Sequence, residues 1–321
     1  MTAVAPDIDV LAVARLSPLL APQLGAAYRV HHRLHEVDPA AFAAVAPRIR
    51  GIAASGDSRV GAALIAQLPA LEIVSVMGVG YDGIDVAAAK ARGVQVTHTP
   101  DVLNDDVADL AIGLMLCAAR QLPAADRYVR SGQWATTGPM PLARKMSGAR
   151  LGLVGMGRIG QAIAQRAAAF GMSIAYTARS ARPGLAYAYF PSAAALAGES
   201  DFLVVITPGG AGTRKLIDAA VLAALGPQGI LVNVARGSVV DEAALIDALE
   251  RGVIAGAGLD VFENEPHVAE RLKALSHVVL TPHIGSATGQ TRQAMADLAA
   301  GNLAAHFAGR ALLSPVPEMS T

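Results

Sequence analysis

A chain of 321 residues that is 53% hydrophobic and only 16% charged can bury a large core, and its length suggests two domains. Its 26 cationic and 26 acidic side chains cancel, which argues against nucleic acid or an anionic membrane surface as partner and leaves a small molecule. The single cysteine, Cys117, excludes a disulfide framework; in the apolar run Leu110–Ala119 it reads as a buried, inert thiol in a reducing compartment.

The chain opens MTAVAPDIDV, with no basic start and with Asp7 and Asp9 where a secretory apolar core would lie, so no export signal is expected. Short apolar runs at Ile8–Val13, Tyr28–His31, Ile49–Ala53, Ile73–Val76 and Val94–Val96 read as strands. Helices are expected between them at Pro39–Ala46, Ser58–Leu68 and Asp85–Arg92, with His31, His32 and His35 clustered in an early loop. Alternating strands and helices imply parallel pairing with right-handed crossovers, so Met1–Pro100 is an α/β unit of its own. After Pro100, Asp101–Arg120 reads as a long helix bridging two domains, its N-terminal half favoured by Asp101, Asp105, Asp106 and Asp109. Gln121–Ser147 is too polar and irregular for core, holds the only tryptophan, Trp134, and is expected to contact a second subunit.

A strand at Leu151–Val154 follows, and further runs at Met172–Thr177, Phe202–Ile206, Ile230–Val234, Ala257–Phe262 and Val278–Leu280 read as strands. Helices at Pro191–Ala197, Asp218–Leu225 and Asp241–Arg251 separate most of them, the pattern of a doubly wound nucleotide-binding sheet. The 17 uncharged residues Ala219–Ala235 are broken by Gly226-Pro227-Gln228-Gly229, so they read as helix, turn and strand rather than a membrane span. A last helix, about Thr288–Gly309, is expected to return to the first domain and make it discontinuous. The protein is expected to be soluble and cytoplasmic.

Arg150–Gly160, RLGLVGMGRIG, organises the rest. An apolar run meets Gly155, Gly157 and Gly160, and a helical pattern follows through Ile163, Ala164, Ala167 and Phe170. Glycines also punctuate ordinary turns, but strand, turn and helix together match a dinucleotide site. There the first glycine permits the bend, the second lets backbone approach a pyrophosphate and the third lets helix pack on strand. About 20 residues further on, NAD sites place an acid for the ribose hydroxyls. Here that region reads IAYTARSARPG, and no Asp or Glu occurs from Arg127 to Gly198, a span carrying Arg127, Arg130, Arg144, Lys145, Arg150, Arg158, Arg166, Arg179 and Arg182. A solvated basic face would also look like this, but arginines past the second strand suit a 2′-phosphate and favour NADP over NAD.

Hydride chemistry needs a group to orient the substrate and a proton donor for the developing alkoxide. Arg236, in NVARGSVVDE, and His283, in LTPHIGSAT, each follow a strand at the carboxyl edge where open sheets bind ligands. Arg236 could instead pair with Asp241. His98, His267, His277 and His306 lack His283's setting. Either Glu263 or Glu265, in LDVFENEPH, could hold His283 as the imidazolium, and spacing does not separate them.

GVGYDGID at Gly78–Asp85, VGMGRIG at Val154–Gly160, NVARGSVVDE at Asn233–Glu242, GLDVFENEP at Gly258–Pro266 and TPHIGSAT at Thr281–Thr288 together resemble the D-2-hydroxyacid dehydrogenase family over nearly the whole chain. The likeness is greatest to its NADPH-dependent hydroxypyruvate and glyoxylate reductases. The expected fold is α/β, with two doubly wound parallel-sheet domains, Rossmann-like and flavodoxin-like. Residues 1–100, with 286–321 returning to them, would form the substrate-binding domain and 101–285 the NADP-binding Rossmann domain.

The resemblance implies that Arg236 binds the substrate's carboxylate and carbonyl, that His283 is the proton donor, and that Glu265 rather than Glu263 is its partner. It also implies that the Val79 and Gly80 amides hold the substrate carboxylate and that Asp260 meets the nicotinamide amide. Cofactor contacts are implied at Gly155, Met156, Gly157, Arg158, Ile159 and Gly160, at Ala178, Arg179, Ser180 and Arg182, at Thr207, Val234 and Ala235, and at Gly285 and Ser286. No metal is implied, and the family's dimer arm matches Gln121–Ser147.

The implied activity is reduction of glyoxylate or hydroxypyruvate to the D-2-hydroxy acid with NADPH, the substrate lying between domains. Alternatives are a relative with another 2-oxo acid or with NADH, and a nucleotide-sensing corepressor-like binding protein, whose peptide groove has no sign in the sequence. The end at Thr321 argues against phosphoglycerate dehydrogenases with an appended regulatory domain. Glu265 argues against formate dehydrogenases, which pair the histidine with glutamine.

Overall fold

The computed structural model describes residues 7–319; Met1–Pro6, where the reading for an export signal begins, lie outside the described residues. Two compact units divide the chain: Met1–Leu103 with Thr288–Thr321, and Asn104–Ala287.

In the first unit β1 (Asp9–Ala12), β2 (Arg29–His32), β3 (Ile49–Ser55), β4 (Ile73–Met77) and β5 (Gln95–Thr97) form one sheet in the order β2-β1-β3-β4-β5. Every pairing is parallel. Helices cover both faces of such a sheet, so its central strands β1, β3 and β4 are mostly apolar and buried rather than alternating. Leu11, Ile49, Ile52, Val74 and Val76 are fully buried. The long helix Gly289–Phe307 packs on β4, where the Ser75 hydroxyl donates to the Ala299 carbonyl at 2.9 Å, and Gly51 leaves room for Phe307 and Leu303. The tail after this helix runs antiparallel to β5, bridging Thr97 to Pro315.

Two expectations for this unit fail. His31 and His32 lie on β2 and His35 on the short helix Leu34–Val37, not in a loop, and His31 Nε2 sits 2.6 Å from the buried Asp9 carboxylate. The helix expected at Ser58–Leu68 is only Ala62–Ala66. Its intended first turn is held extended, because Val60 bridges Ile84 and the Ser58 hydroxyl caps the Ser55 N–H at 2.8 Å.

The second unit contains β6 (Arg150–Val154), β7 (Ser173–Thr177), β8 (Ala188–Tyr189), β9 (Phe202–Val205), β10 (Ile230–Asn233), β11 (Gly256–Leu259) and β12 (Val278–Leu280). Their order is β12-β11-β10-β9-β6-β7-β8, all parallel. Chain direction across the sheet reverses at β6, so the glycine turn leaving β6 lies at the switch point where such sheets bind ligands. Helix Asn104–Arg120 packs on β10 and β11 and on helix Arg158–Ala169, and Gly258 gives Leu114 its place against the sheet.

That helix begins at Asn104 rather than Asp101, which sits at φ 71° in the turn before it. Gln121–Ser147 is less irregular than expected: it carries helices Leu122–Arg130 and Gln133–Thr137. Leu122, Val129 and Trp134 on them are exposed. β11 ends at Leu259, three residues before the expected Phe262, because Asp260 turns the chain out of the sheet. Cys117 is half-buried rather than buried, and that burial pushes its thiol pKa up. Among the described residues no single helix is long and apolar enough to cross a membrane.

Candidate active site

The glycine turn divides its labour visibly. Gly155 adopts φ 112°, and a Cβ there would sit 2.7 Å from the Ile206 carbonyl oxygen, so only glycine allows β6 to turn beside β9. A Cβ on Gly160 would lie 2.5 Å from the Gly155 oxygen, which fixes helix Arg158–Ala169 against the turn. Gly157 faces open space with nothing within 4 Å of its missing Cβ, at the N-cap of that helix. Free backbone N–H groups and the positive dipole end therefore meet an open cradle, which fits a pyrophosphate. Met156 is 1% exposed, so only its backbone can serve a ligand.

Four arginines of the basic stretch are paired with acids. Arg130 pairs with Asp126, Arg144 with Asp201, Arg150 with Glu199 and Asp201, and Arg166 with Asp105 and Asp109. Those arginines are structural. Arg179 and Arg182, past β7, are exposed and have no carboxylate partner among the described residues. The Tyr176 hydroxyl accepts the Arg182 N–H at 2.7 Å and shapes that loop, which also holds Ala178 and Ser180.

Three strand exits gather the remaining polar groups of this unit. Past β10, Asn233, 1% exposed, accepts the Ala235 N–H at 3.1 Å and donates to the Arg236 carbonyl at 3.0 Å, setting the turn that presents Arg236. Gly237 packs its backbone against Phe262, where a Cβ could not fit, and so brings the Arg236 turn beside the exit of β11. The Asp241 pairing considered for Arg236 is taken by Lys215 at 3.2 Å, while Asp241 also caps helix Glu242–Glu250. Thr207 follows β9, Val234 and Ala235 follow β10, and Ser286 follows Gly285 beyond β12.

His283 Nδ1 lies 2.8 Å from Glu265 Oε2, and the Phe262 N–H donates to the other carboxylate oxygen at 2.9 Å. Glu263 turns away to Arg214. Burial works to raise the Glu265 pKa, but the bonds from His283 and the Phe262 N–H, with the charges of His283 and Arg236, outweigh it and hold the carboxyl below its usual range. Glu265 therefore stays ionised across neutral pH and favours a protonated His283.

Asp260 holds the histidine loop. At 1% exposure its Oδ1 accepts the Thr281 hydroxyl at 2.7 Å and the Ile284 N–H at 2.8 Å, and its Oδ2 accepts the Gly285 N–H at 2.8 Å. Its backbone carbonyl accepts the His283 N–H at 2.9 Å. His283 is held at φ 53°, a left-handed conformation that costs a non-glycine residue about 1 kcal/mol or more unless its surroundings impose it.

In the first unit, Val79 and Gly80 lie in the loop leaving β4. Sequence reasoning set His98 aside, yet its Nδ1 lies 3.0 Å from the Val79 carbonyl. Its place just beyond β5, the same strand-exit position that marked Arg236 and His283, was the signal available.

Asp260→Asn tests the loop account, because an amide would set its NH₂ against either the Ile284 or the Gly285 N–H. An unmet buried group costs about 1–3 kcal/mol, so hydrogen-exchange protection of these two amides should fall by roughly 10- to 100-fold. Unchanged protection would contradict the account.

Residues 112–285 match the family described as D-isomer specific 2-hydroxyacid dehydrogenase, NAD binding domain. A glyoxylate/hydroxypyruvate reductase A of Arabidopsis thaliana is 52% identical over 84% of this chain and 85% of its own length. A hydroxyphenylpyruvate reductase of Plectranthus scutellarioides is 46% identical over 96% of this chain and 99% of its own. Among solved structures, an NADPH-dependent glyoxylate/hydroxypyruvate reductase of Sinorhizobium meliloti, in complex with NADP and malonate, superposes with a TM-score of 0.90 at 46% identity, covering 97% of both chains. Site geometry, family match and relatives agree: the chain belongs to the D-isomer specific 2-hydroxyacid dehydrogenases, NAD(P)-dependent oxidoreductases.

Proposed function

We propose that this enzyme reduces a small 2-oxo acid, glyoxylate or hydroxypyruvate, to the D-2-hydroxy acid with NADPH. The observation that carries the proposal is the His283–Glu265 pair at 2.8 Å, with the Arg236 charge acting on the same carboxylate. NADPH, when bound, supplies the hydride to the carbonyl carbon. Arg236 presents its planar fork to the substrate's carboxylate and carbonyl oxygen, and the Val79 and Gly80 amides hold the carboxylate. Because Glu265 occupies His283 Nδ1, the ring's proton leaves from Nε2, passing to the carbonyl oxygen as negative charge develops there. Gly155, Gly157 and Gly160 would shape the pyrophosphate site with the N–H groups of Arg158 and Ile159, and Arg179 and Arg182 would take the 2′-phosphate, with NAD the weaker cofactor. Asp260 would add the nicotinamide amide to the loop it already holds.

Substrate breadth is the second reading, favoured by the 46% identity to a hydroxyphenylpyruvate reductase and the 42% identity to a 2-ketogluconate reductase of Gluconobacter oxydans. We further propose a cytoplasmic homodimer built on the segment after Arg120, where Leu122, Val129, Trp134 and Leu142 are 46%, 57%, 63% and 103% exposed.

Initial rates on glyoxylate, hydroxypyruvate, hydroxyphenylpyruvate and 2-ketogluconate with each cofactor test the substrate reading; reduction of none of the four would overturn it. Arg179→Ala should lower kcat/KM for NADPH by about 10- to 100-fold and leave NADH nearly unchanged, since a charge-assisted bond to phosphate is worth about 1.5–3 kcal/mol. An equal loss with both cofactors, or a wild type that prefers NADH, would refute the NADP assignment.

The pH dependence follows from the pair. Reduction requires protonated His283, so its rate should fall as pH rises past the loss of that proton. Glu265→Gln removes the charge that favours the imidazolium and should move the fall to lower pH. An unmoved profile would show that the pair does not tune the donor.

A further inference from the structure

We propose that His98 is a positioning residue for the substrate: its ring N–H, donated to the Val79 carbonyl, aims and polarises the Gly80 N–H that receives the substrate carboxylate. The inference rests on the reading above that the Val79 and Gly80 amides hold that carboxylate.

A trans peptide points its carbonyl and its N–H in opposite directions, so a donor fixed on one side sets the direction of the other. His98 Nδ1 lies 3.0 Å from the Val79 oxygen, and because a carbonyl only accepts, Nδ1 must carry the proton. The same logic acts one peptide earlier, where the Thr99 N–H donates to the Gly78 carbonyl at 2.9 Å and so orients the Val79 N–H. Both amides assigned to the carboxylate thus belong to peptides whose carbonyls are gripped from behind by adjacent residues leaving β5. A hydrogen bond to a carbonyl also strengthens the N–H across the same peptide as a donor.

His98 is itself held from several sides. Its backbone N–H donates to the Ser314 carbonyl at 3.1 Å, and the Ser314 hydroxyl donates to the His98 carbonyl at 2.6 Å. Ser314 is fixed in turn by the fully buried Asn302, which accepts the Ser314 N–H at 3.1 Å and donates to its hydroxyl at 2.8 Å. Tyr81 stands edge-on to the His98 ring, with centroids 5.2 Å apart at 86°, and its hydroxyl donates to the Glu318 carboxylate at 3.0 Å. On the loop's other side a Cβ at Gly78 would lie 2.8 Å from Gly56 Cα, so backbone packs on backbone and the loop cannot drift that way. A histidine that only braced the C-terminal tail would not need its ring on the Val79 carbonyl.

The test uses the full chain with glyoxylate, NADPH and oxamate, a 2-oxo-acid analogue that is not reduced. His98→Asn keeps an amide donor near the Nδ1 position, whereas His98→Gln moves it to the Nε2 position and His98→Leu removes it. The glyoxylate KM should rise about tenfold in His98→Gln and His98→Leu and recover most of the way in His98→Asn, with kcat and the NADPH KM within about twofold of wild type. If His98→Leu does not fold, the Asn and Gln variants carry the comparison. An unchanged glyoxylate KM in His98→Gln, or equal losses in the Asn and Gln variants, would overturn the proposal. Amide resonances of Val79 and Gly80 report the underlying reading separately. Should they not move when oxamate is added to the wild-type enzyme with NADP, that reading falls and takes the proposal with it. Should they move in wild type and move identically in His98→Gln, with unchanged KM, only the role of His98 falls.

Discussion

The four hydrogen bonds that Asp260 makes with Thr281, His283, Ile284 and Gly285 convert the exit of β12 from a free loop into a fixed one. A buried carboxylate without partners would be costly, and a loop around a left-handed histidine would relax; each requirement is met by the other. Because β11 and β12 are parallel neighbours, Asp260 can reach the loop only by standing at the first position past its strand. The chain leaving Asp260 continues through Phe262 to Glu265, so one short segment carries both the clamp of the loop and the carboxylate on His283 Nδ1. Gly237 then ties the Arg236 turn to Phe262. The relative placement of arginine, glutamate and histidine thus depends on backbone packing and one buried anion, not on the flexible side chains themselves.

Charge pairing sorts the basic stretch in the same physical way. Arg144, Arg150 and Arg166 meet carboxylates distant in sequence, while Arg130 pairs with Asp126 one turn earlier on its own helix. Arg179 and Arg182 sit on a loop that no acid approaches among the described residues. An exposed guanidinium without a carboxylate is available to a doubly charged phosphate, which binds it through short, directional bonds.

Much of this was legible in the sequence. Parallel strands buried on both faces are uninterrupted apolar runs, and nearly all those read from the sequence are strands within a residue or two. The glycine turn was legible because Gly155 and Gly160 answer separate steric demands, while Gly157 leaves the start of the helix open. What escaped depended on contacts distant in sequence. Helix Ala62–Ala66 lost its expected first turn to the Val60 bridge with Ile84, which lies across the loop. The helices after Arg120 expose Leu122, Val129 and Trp134 and carry several charges, so the segment reads as too polar for core. Glu263 and Glu265 could not be separated by spacing, since the choice is made by the turn past β11, which sends Glu263 to Arg214. His98 looked ordinary because its meaning comes from Val79, on the loop leaving the neighbouring strand, and from Ser314, near the C-terminus.

The central claim is that His283 delivers the proton while its surroundings hold it in place. It is tested most directly by single-turnover reduction of glyoxylate with NADPH in His283→Ala beside wild type, together with NADPH affinity measured by fluorescence. The account predicts a rate about 10² to 10⁴-fold lower with NADPH affinity unchanged. A near-wild-type rate would contradict it.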